Sequence, residues 1–394
     1  SALDLGYKGA LSAIIDGNVT TMIIAVVLLI FGSGPIQGFA VTLGLGILTS
    51  LFTALFLSRL ITSARVDKGK SFAVWNNWSK NIFVNAKYDF MGKRKYFYIF
   101  SGLLITAGIV SMFTNGFNWG VDFTGGRTYV VKFTDDVNVA KVRAALDDRF
   151  VDDAGIKSTV NVKTYGSDRQ LKVTTNYLIN QADTAADNKV DARLREGLAT
   201  IGVSYEVGES RKVDPTISDD IKGNAITSLT ISLILIFLYI AVRFRNWQFG
   251  LGGLLSLVHD ALVVLGLYSL LYKVLPISLE IDEAFIAAIL TVIGYSINDT
   301  VIVFDRIREY MRDHKRDAYP VVINKAINST LGRTMNTSLT TLLVLVIIFI
   351  FGGVSIKAFV FALLIGIGVG TYSSVFVASS IVADLLKRKD ATQN

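Results

Sequence analysis

The sequence predicts a polytopic α-helical membrane protein that carries one small α+β domain outside the membrane. Hydrophobic residues make up 52% of the 394 positions and charged residues 18%, with a mean hydropathy of +0.49. A chain of this composition is too apolar to fold around a single soluble core. A polar segment, 116–222, interrupts the apolar sequence and is long enough to close a small core of its own.

Eight apolar runs predict eight membrane helices. A hydrocarbon core of about 30 Å needs roughly 20 helical residues, so we expect the short first and seventh runs to extend toward Ser12 and Arg333. The runs cover residues 18–33, 37–60, 97–114, 223–242, 249–272, 282–304, 337–353 and 357–383.

The membrane helices contain an internal repeat, because residues 18–57 read again at 338–377 without a gap. Both copies place Phe-Gly between two apolar runs, at Phe31-Gly32 and Phe351-Gly352. Parallel repeats of membrane helices are typical of transporters, whose working sites lie where the halves meet. Since the first copy starts close to Ser1, we expect further helices upstream and expect the sequence to be a fragment.

Lysine and arginine beside the helix ends predict the orientation, because they stay on the cytoplasmic side. The segment 62–96, the loop Arg306–Arg333 and the tail 387–394 are basic and share one side of the predicted helices. We therefore expect both ends in the cytoplasm and residues 116–222 outside. The net charge of +7 is explained by these basic cytoplasmic segments, which are spread along the chain and not clustered on one face. We therefore do not expect nucleic acid as a partner.

The outer segment predicts a ferredoxin-like domain, since its elements follow the order strand, helix, strand, strand, helix, strand. Such a domain either grips a partner or braces the membrane part. Alternating patterns predict strands at Gly126–Phe133, Thr159–Tyr165, Gln170–Asn176 and Val203–Val213, and helical periodicity predicts helices at Val139–Phe150 and Lys189–Ile201.

A glycine-rich stretch precedes the first predicted strand. It contains Gly120, Asp122, Gly125 and Gly126. It lacks the Lys-Ser/Thr pair of a phosphate-binding loop. We expect it to let the chain turn sharply at the membrane surface.

Asp299 is the first candidate functional residue, because a charge at the centre of a membrane helix costs at least about 2.5–3.5 kcal/mol unless it is paired or hydrated. It lies roughly 22 Å into the helix that begins near Ala284. Ser296 and Asn298 are close to it in sequence, and hydroxyls at i−4 and i−3 are expected to line one side of the carboxylate. The alternative is an aspartate at a frayed helix end that reaches cytosolic water.

Arg333 is the second candidate and begins the seventh predicted helix. This helix enters from the same side as Asp299, so we expect the two charges at similar depth. The guanidinium would favour the charged carboxylate and burial the neutral one, a balance suited to loading and releasing a proton. The alternative is an ordinary interfacial arginine. The polar residues that follow it are Asn336, Thr337, Ser338, Thr340 and Thr341.

His259 and Asp260 form the third candidate, a possible proton relay near the middle of the fifth helix. Adjacent helical residues point about 100° apart, so we expect that the two side chains do not pair on one face. A structural role is the open alternative.

Other residues limit the chemistry. Glu280, Asp282 and Glu283 precede or begin the sixth helix and are expected to cap it, with proton collection as the alternative. The chain has no Cys and two His, which leaves little for a metal site. No nucleophile pair or phosphate loop is apparent. We expect no enzymatic activity and no cofactor, with protons as the coupling ion.

These motifs together resemble the bacterial SecDF family, membrane accessories of the Sec protein-export machinery within the RND superfamily. Residues from about 79 onward resemble a whole SecF, and residues 1–61 resemble the last two helices of SecD. The motifs that carry the SecF resemblance are Gly120–Gly126, Val258–Asp260, Gly294–Thr300, Phe304–Glu309, Gly332–Thr341 and Gly370–Ser374, and those that carry the SecD resemblance are Ile15–Thr21 and Gly38–Gly44.

The resemblance divides the chain into six parts. They are two SecD-like helices (1–61), a basic cytoplasmic linker (62–96), the first SecF-like helix (97–115), the periplasmic ferredoxin-like domain (116–222), five SecF-like helices (223–386) and a cytoplasmic tail (387–394).

The resemblance also implies a site and a mechanism. In the family, an aspartate of an upstream SecD helix works with an Asp and an Arg matched here by Asp299 and Arg333. The implied function is use of the proton motive force to pull unfolded polypeptides outward across the bacterial inner membrane. The implied partners are a SecYEG-type translocon with its associated membrane factors, the translocating preprotein, the missing SecD portion and membrane lipids.

Two other functions remain open. An RND-family exporter of small molecules or lipids would share the helices and the buried aspartate, but usually carries much larger outer domains. A passive subunit that only stabilises the translocon would need no proton site.

Overall fold

The computed structural model shows a bundle of long helices with a sheet domain at one end. It describes residues 2–32, 34–70, 86–151, 157–158, 160–167, 169–181, 184–275 and 277–391. Within the predicted linker, 71–85 lies outside the described residues, as does 392–394 of the predicted tail.

The secondary-structure elements are as follows in chain order: α1 (Ala2–Phe31), α2 (Gly34–Phe52), α3 (Ser58–Asp67), α4 (Arg94–Thr114), α5 (Val121–Thr124), β1 (Gly126–Phe133), α6 (Val139–Asp147), β2 (Val160–Ser167), β3 (Gln170–Thr175), α7 (Thr184–Ala199), β4 (Tyr205–Val213), α8 (Pro215–Phe244), α9 (Trp247–Leu271), α10 (Glu283–Asp313), α11 (Tyr319–Phe351), α12 (Val354–Ser373) and α13 (Ser379–Ala391).

Eight spans in the described part of the chain are long and apolar enough to cross a membrane, which confirms the predicted number. They are α1, α2 with α3, α4, α8, α9, α10, α11, and α12 with α13. Short π-helical turns, Thr53–Leu57 and Ser374–Ala378, join the paired helices into continuous spans.

The first and seventh spans extend further than the apolar runs alone predict. The seventh begins at Tyr319 and has a proline in its first turn, where the fixed φ of proline suits a helix start. Polar residues before the apolar run stay helical because backbone hydrogen bonds do not depend on side-chain polarity.

The outer segment folds as the predicted ferredoxin-like domain. Its four antiparallel strands have the order β2-β3-β1-β4, with α6 and α7 packed on the sheet. The core is apolar and contains Val131 of β1, Leu171 and Val173 of β3, Leu146 of α6 and Leu194 of α7. One face of the sheet is thereby buried, as alternating strands require.

α10 is the most buried of the eight spans and packs against α1, α9, α11 and α12. Close helix contacts depend on small residues at specific points. Between α4 and α9, a Cβ added at Gly266 would lie 2.7 Å from the Cα of Gly108. Such close approach fits the small-residue interfaces of membrane helices.

The sheet domain defines two ends of the bundle. On the sheet side, Arg211 of β4 pairs with Glu283 at the start of α10, and Tyr165 of β2 donates a hydrogen bond to Ser355 of α12 at 2.7 Å. The opposite end, where α3 ends at Asp67 and α10 ends at Asp313, is the linker side.

Candidate functional site

Asp299 lies inside the bundle on α10. Asp299 is 3% exposed, and the hydroxyl of Ser338 on α11 donates a hydrogen bond to its Oδ2 at 3.2 Å. Ser338 in turn accepts a hydrogen bond from Thr371 of α12 at 2.6 Å. A carboxylate and two hydroxyls from three helices therefore form a short polar chain.

Arg333 is exposed on α11 and lies five residues before Ser338, about 7.5 Å along the helix axis toward the linker side. Among the described residues, no ion pair within 4.0 Å joins it to Asp299. Arg333 instead lines a cavity of about 330 Å³ that contacts α1, α10 and α11. The two predicted charges thus share a region of the bundle without direct contact.

The other residues predicted around Asp299 point to different neighbours. Asn298 packs against Gly17 of α1, where an added Cβ would overlap its side-chain oxygen. Thr341 accepts a hydrogen bond from Tyr295 at 3.3 Å. Thr340 is exposed and donates to backbone carbonyls of its own helix. Thr341 therefore joins α11 to α10, whereas Thr340 does not.

Asp260 is the centre of a second polar cluster. It is fully buried, and its Oδ2 accepts hydrogen bonds from Ser296 at 2.6 Å and Ser373 at 2.8 Å. Ser296 therefore faces α9 and α12 and does not line the Asp299 carboxylate as predicted. Helices α9, α10 and α12 meet at this one side chain.

The prediction that His259 and Asp260 do not pair is wrong. His259 Nδ1 lies 2.9 Å from Asp260 Oδ1, because rotation about the side-chain bonds brings neighbouring groups together despite the 100° between their Cβ directions. His259 Nε2 lies 3.1 Å from the hydroxyl of Ser101 on α4, which bonds to Tyr372 at 3.0 Å. A continuous hydrogen-bonded chain thus joins α4 to α10.

The glycine-rich stretch forms a sharp turn at the sheet side. Gly125 and Gly126 have φ angles of 67° and 143°, which favour glycine. Gly120 donates its N–H to the carbonyl of Ile281 at 2.9 Å. This turn therefore places the start of β1 beside the segment that leads into α10.

Asp122 fastens this turn to α10. It is 2% exposed, and its Oδ2 accepts the backbone N–H of Glu283 at 3.0 Å. Arg211 of β4 pairs with both Asp122 at 3.0 Å and Glu283 at 3.3 Å. The first residue of α10 is therefore held directly by the sheet domain.

Asp282 caps α10, as the sequence predicts, by accepting the N–H of Phe285 at 2.8 Å. Burial raises the pKa of Asp282 to about 6, although the hydrogen bond from Phe285 opposes the shift. Lys172 of β3 pairs with Glu280 at 2.6 Å. Lys172, Glu280 and Asp282 line a cavity of about 230 Å³ between the sheet and the helices.

Asp16 of α1 is a buried charge that was not predicted from the sequence as a site residue. Arg243 of α8 binds its carboxylate through two nitrogens, at 2.8 and 2.6 Å, and Tyr239 donates a hydrogen bond at 2.7 Å. The available signal was an acid just before the first apolar run, in a helix expected to extend toward Ser12. Its pairing with Arg243, more than two hundred residues away in the sequence, could not be predicted from any local pattern.

The side chains of these clusters can donate, accept or carry protons. Among the residues described, no group of three or more His, Cys, Asp and Glu side chains is placed to hold a metal ion. What the clusters offer chemically is a change of charge at carboxylates inside a packed bundle.

Two family models match this chain. The C-terminal model of the protein export membrane protein SecD/SecF matches residues 194–388, a range that includes Asp260, Asp299 and Arg333. The SecD/SecF GG motif matches residues 110–137, which include the glycine-rich turn.

Individual relatives agree with these matches. The protein translocase subunit SecF of Rhodothermus marinus is 44% identical over 311 residues, which are 79% of this chain and 97% of that protein. The protein translocase subunit SecDF of Thermus thermophilus is 34% identical over 100% of this chain and 50% of that protein. A crystal structure of a Thermus SecDF, described as a translocon-associated membrane protein, superposes with a TM-score of 0.84 at 32% identity, covering 98% of this chain and 50% of that one.

The chain thus spans nearly all of a SecF relative and about half the length of the SecDF relatives. The family resemblance predicted from the sequence motifs is confirmed by these similarities. This chain belongs to the SecD/SecF family of protein-export membrane proteins.

Proposed function

We propose that this chain is part of a protein-translocation machine that is driven by the proton motive force. Two relatives are named protein translocase subunits, which supports a role in protein translocation. The proposed partners are a SecYEG-type translocon, the translocating unfolded polypeptide and the surrounding lipids. We propose no enzymatic reaction and no bound cofactor.

The observation that carries the proposal is the environment of Asp299. Its buried carboxylate accepts a hydrogen bond from Ser338, on a helix packed within the bundle. A charge there is costly unless it is paired or hydrated, so a proton can decide how α10 and α11 contact each other. Arg333, further toward the linker side, adds a positive charge whose attraction ends when Asp299 is neutral.

α10 offers a direct route from this carboxylate to the outer domain. Asp299 lies about 24 Å from the first residue of the helix, and that residue, Glu283, is held by Asp122 and Arg211. A rigid helix that shifts when Asp299 changes charge would move the contact with β4. Protonation would thereby bias a two-state arrangement of the sheet domain.

The membrane potential supplies enough energy for such a bias. Each charge that crosses gains about 2.3 kcal/mol per 100 mV, and about 1.4 kcal/mol already changes an equilibrium tenfold. In the proposed orientation the sheet domain faces outward across the bacterial cytoplasmic membrane and both ends of the chain face inward. Protons would enter near the sheet domain and leave on the linker side.

The decisive test replaces Asp299 by Asn, which keeps the side-chain shape and removes the titration. We expect Asp299→Asn to abolish pH-dependent cation flux in proteoliposomes that contain the full-length protein. Arg333→Ala is expected to abolish flux as well. Asp313→Asn, at the exposed end of the same helix, is the matched control and should keep normal flux.

A parallel export assay separates the remaining alternatives. If D299N keeps full proton flux and full preprotein export, the proposal is wrong. Export that survives without flux would instead favour a passive subunit that stabilises the translocon. Flux that depends on a small molecule and not on a preprotein would favour an exporter.

A further inference from the structure

Asp16 is held on α1 by an unusually complete set of partners. Its side chain is 5% exposed and that of Arg243 is 24% exposed. The guanidinium of Arg243 binds both carboxylate oxygens and also contacts the hydroxyl of Ser12. Two parallel N–H···O bonds fix geometry more strictly than a single bond does, so this pair sets the position of α1 against α8.

The same stretch of α1 contacts the helix that carries Asp299. Gly17, the residue after Asp16, lies so close to Asn298 that a Cβ would overlap the amide oxygen. One turn further along α1, Thr21 is 3.4 Å from the carbonyl of Gly294. A displacement of α1 must therefore disturb the residue next to Asp299.

The linker-side part of α1 forms one wall of the 330 Å³ cavity beside Arg333. Three small residues, Gly9, Ala10 and Ala13, supply that wall. Asp305 and Glu309 of α10 line the opposite side of the cavity with Arg333 of α11. Charged walls suit a water-filled inlet, and small residues on α1 leave it open.

We propose that Asp16 and Arg243 are a positioning pair that holds α1 as the wall of a linker-side inlet to Arg333. The inference rests on the proposed function, because this inlet, filled with water from the linker side, would be the last part of the path, where protons leave. The pair does not itself carry the proton: it keeps α1 at the distance from α10 and α11 that this path requires.

The chain has no Cys, so one introduced thiol can report the width of the inlet. Ala10→Cys places the thiol on the cavity wall, and a water-soluble maleimide added to open membrane sheets measures its reactivity. We expect Asp16→Asn to raise the labelling rate about tenfold, because the amide keeps only one of the two acceptor oxygens that bind Arg243 and loses the charge, so α1 is held less firmly and the inlet opens more often. Arg243→Lys keeps the charge, loses the two-point contact and should give an intermediate rate.

Two controls show whether the change is local. Asp4→Asn removes an exposed ion pair of the same helix, the one to Arg59, and should leave labelling of the Ala10→Cys thiol unchanged. Ser167→Cys, exposed on β2, should react at the same rate with or without Asp16→Asn. Equal rates for Ala10→Cys in the wild-type, D16N and R243K backgrounds would overturn the inference, and so would acceleration by D4N or at position 167.

This test and the test of the proposed function fail separately. Labelling reports the position of α1 whatever drives the machine, whereas flux of the Asp299→Asn variant reports proton coupling. A labelling change in D16N together with normal flux in D299N would refute the proton path and keep the positioning pair. Unchanged labelling together with flux lost in D299N would refute the pair alone.

Discussion

Asp260 and Asp299 are both carboxylates buried in the same bundle, but their surroundings differ. Asp260 has His259 and two serine hydroxyls as partners, contributed by α9, α10 and α12. Within the described part of the chain, Asp299 accepts one side-chain hydrogen bond, from Ser338 of α11. Any change of charge at Asp260 disturbs a network that joins several helices, whereas a change at Asp299 disturbs the contact of one helix pair.

We infer from this difference that the two acids have separate tasks. A fully satisfied buried network fixes one arrangement of its helices, since each member left without a partner is costly. A carboxylate with one hydroxyl partner can gain or lose a proton with less rearrangement. We therefore assign Asp260 to holding α9, α10 and α12 together and Asp299 to switching, an assignment that mutations can test.

Asp260→Ala is expected to have the largest effect on stability. It removes the acceptor of two interhelical hydrogen bonds, which are worth about 0.6–1.7 kcal/mol each in membrane proteins, and of the contact with His259, so we expect a loss of about 2–3 kcal/mol. Unfolding in lipid bicelles would measure this change. Ser256→Ala is the matched control, because that buried hydroxyl on α9 donates to the carbonyl of Gly253 in its own helix. Equal stability of the two variants would remove the structural assignment of Asp260.

Asp282, at the sheet side, is a third buried carboxylate, and its contribution to the stability of the protein should depend on pH. Its pKa in the folded protein is about 6, above the ordinary value of 3.8, mainly because of burial. The folded state then binds this proton more tightly than the unfolded state does. The contribution of Asp282 to stability should therefore fall as pH rises from about 4 to about 6 and stay constant above that window.

Asp282→Asn keeps a capping oxygen and removes the titration. We expect the free energy of unfolding of the wild type, relative to D282N, to fall by about 1–3 kcal/mol between pH 4 and pH 7. Unfolding curves at a series of pH values would measure it. Asp219→Asn, on the exposed first turns of α8, should follow the wild-type pH dependence. Parallel wild-type and D282N curves would contradict the raised pKa.

Much of the fold could be predicted from the sequence, because its patterns are local. Apolar runs gave the eight spans, and alternation with turn residues gave the order of the sheet domain. The ends of α1 and α11 could not be placed, since helical hydrogen bonding continues through polar residues that hydropathy excludes. The turn at Gly125 was predictable, because glycine accepts the positive φ that it needs.

The site was less predictable, because its contacts are not local. Asp299 was detectable as a carboxylate within an apolar run, but its partner on α11 was one of several polar residues near Arg333. Ser296, three residues earlier, faces Asp260 on α9 and not Asp299. Hydrophobic periodicity does not show which neighbouring helix a polar side chain faces, because every neighbouring helix is apolar. The pair of Asp16 and Arg243 depends on the packing of α1 against α8, which composition does not reveal.

Ser338→Ala should give the smallest effect on stability and is the most direct test of the switching assignment. It removes the hydroxyl that donates to Asp299 and accepts from Thr371 but leaves the carboxylate able to titrate. We therefore expect a loss of about 1 kcal/mol in stability, since each interhelical bond contributes about 0.6 kcal/mol, and a reduced but measurable proton flux. Thr337→Ala is the control, since that hydroxyl donates to carbonyls of its own helix and should affect neither property. Flux as low as in Asp299→Asn would mean that Ser338 is itself required for proton transfer. Normal flux would mean that the Asp299 carboxylate switches without this hydroxyl. The number of hydrogen-bond partners, one for Asp299 and several for Asp260, would then no longer explain the different tasks of the two acids.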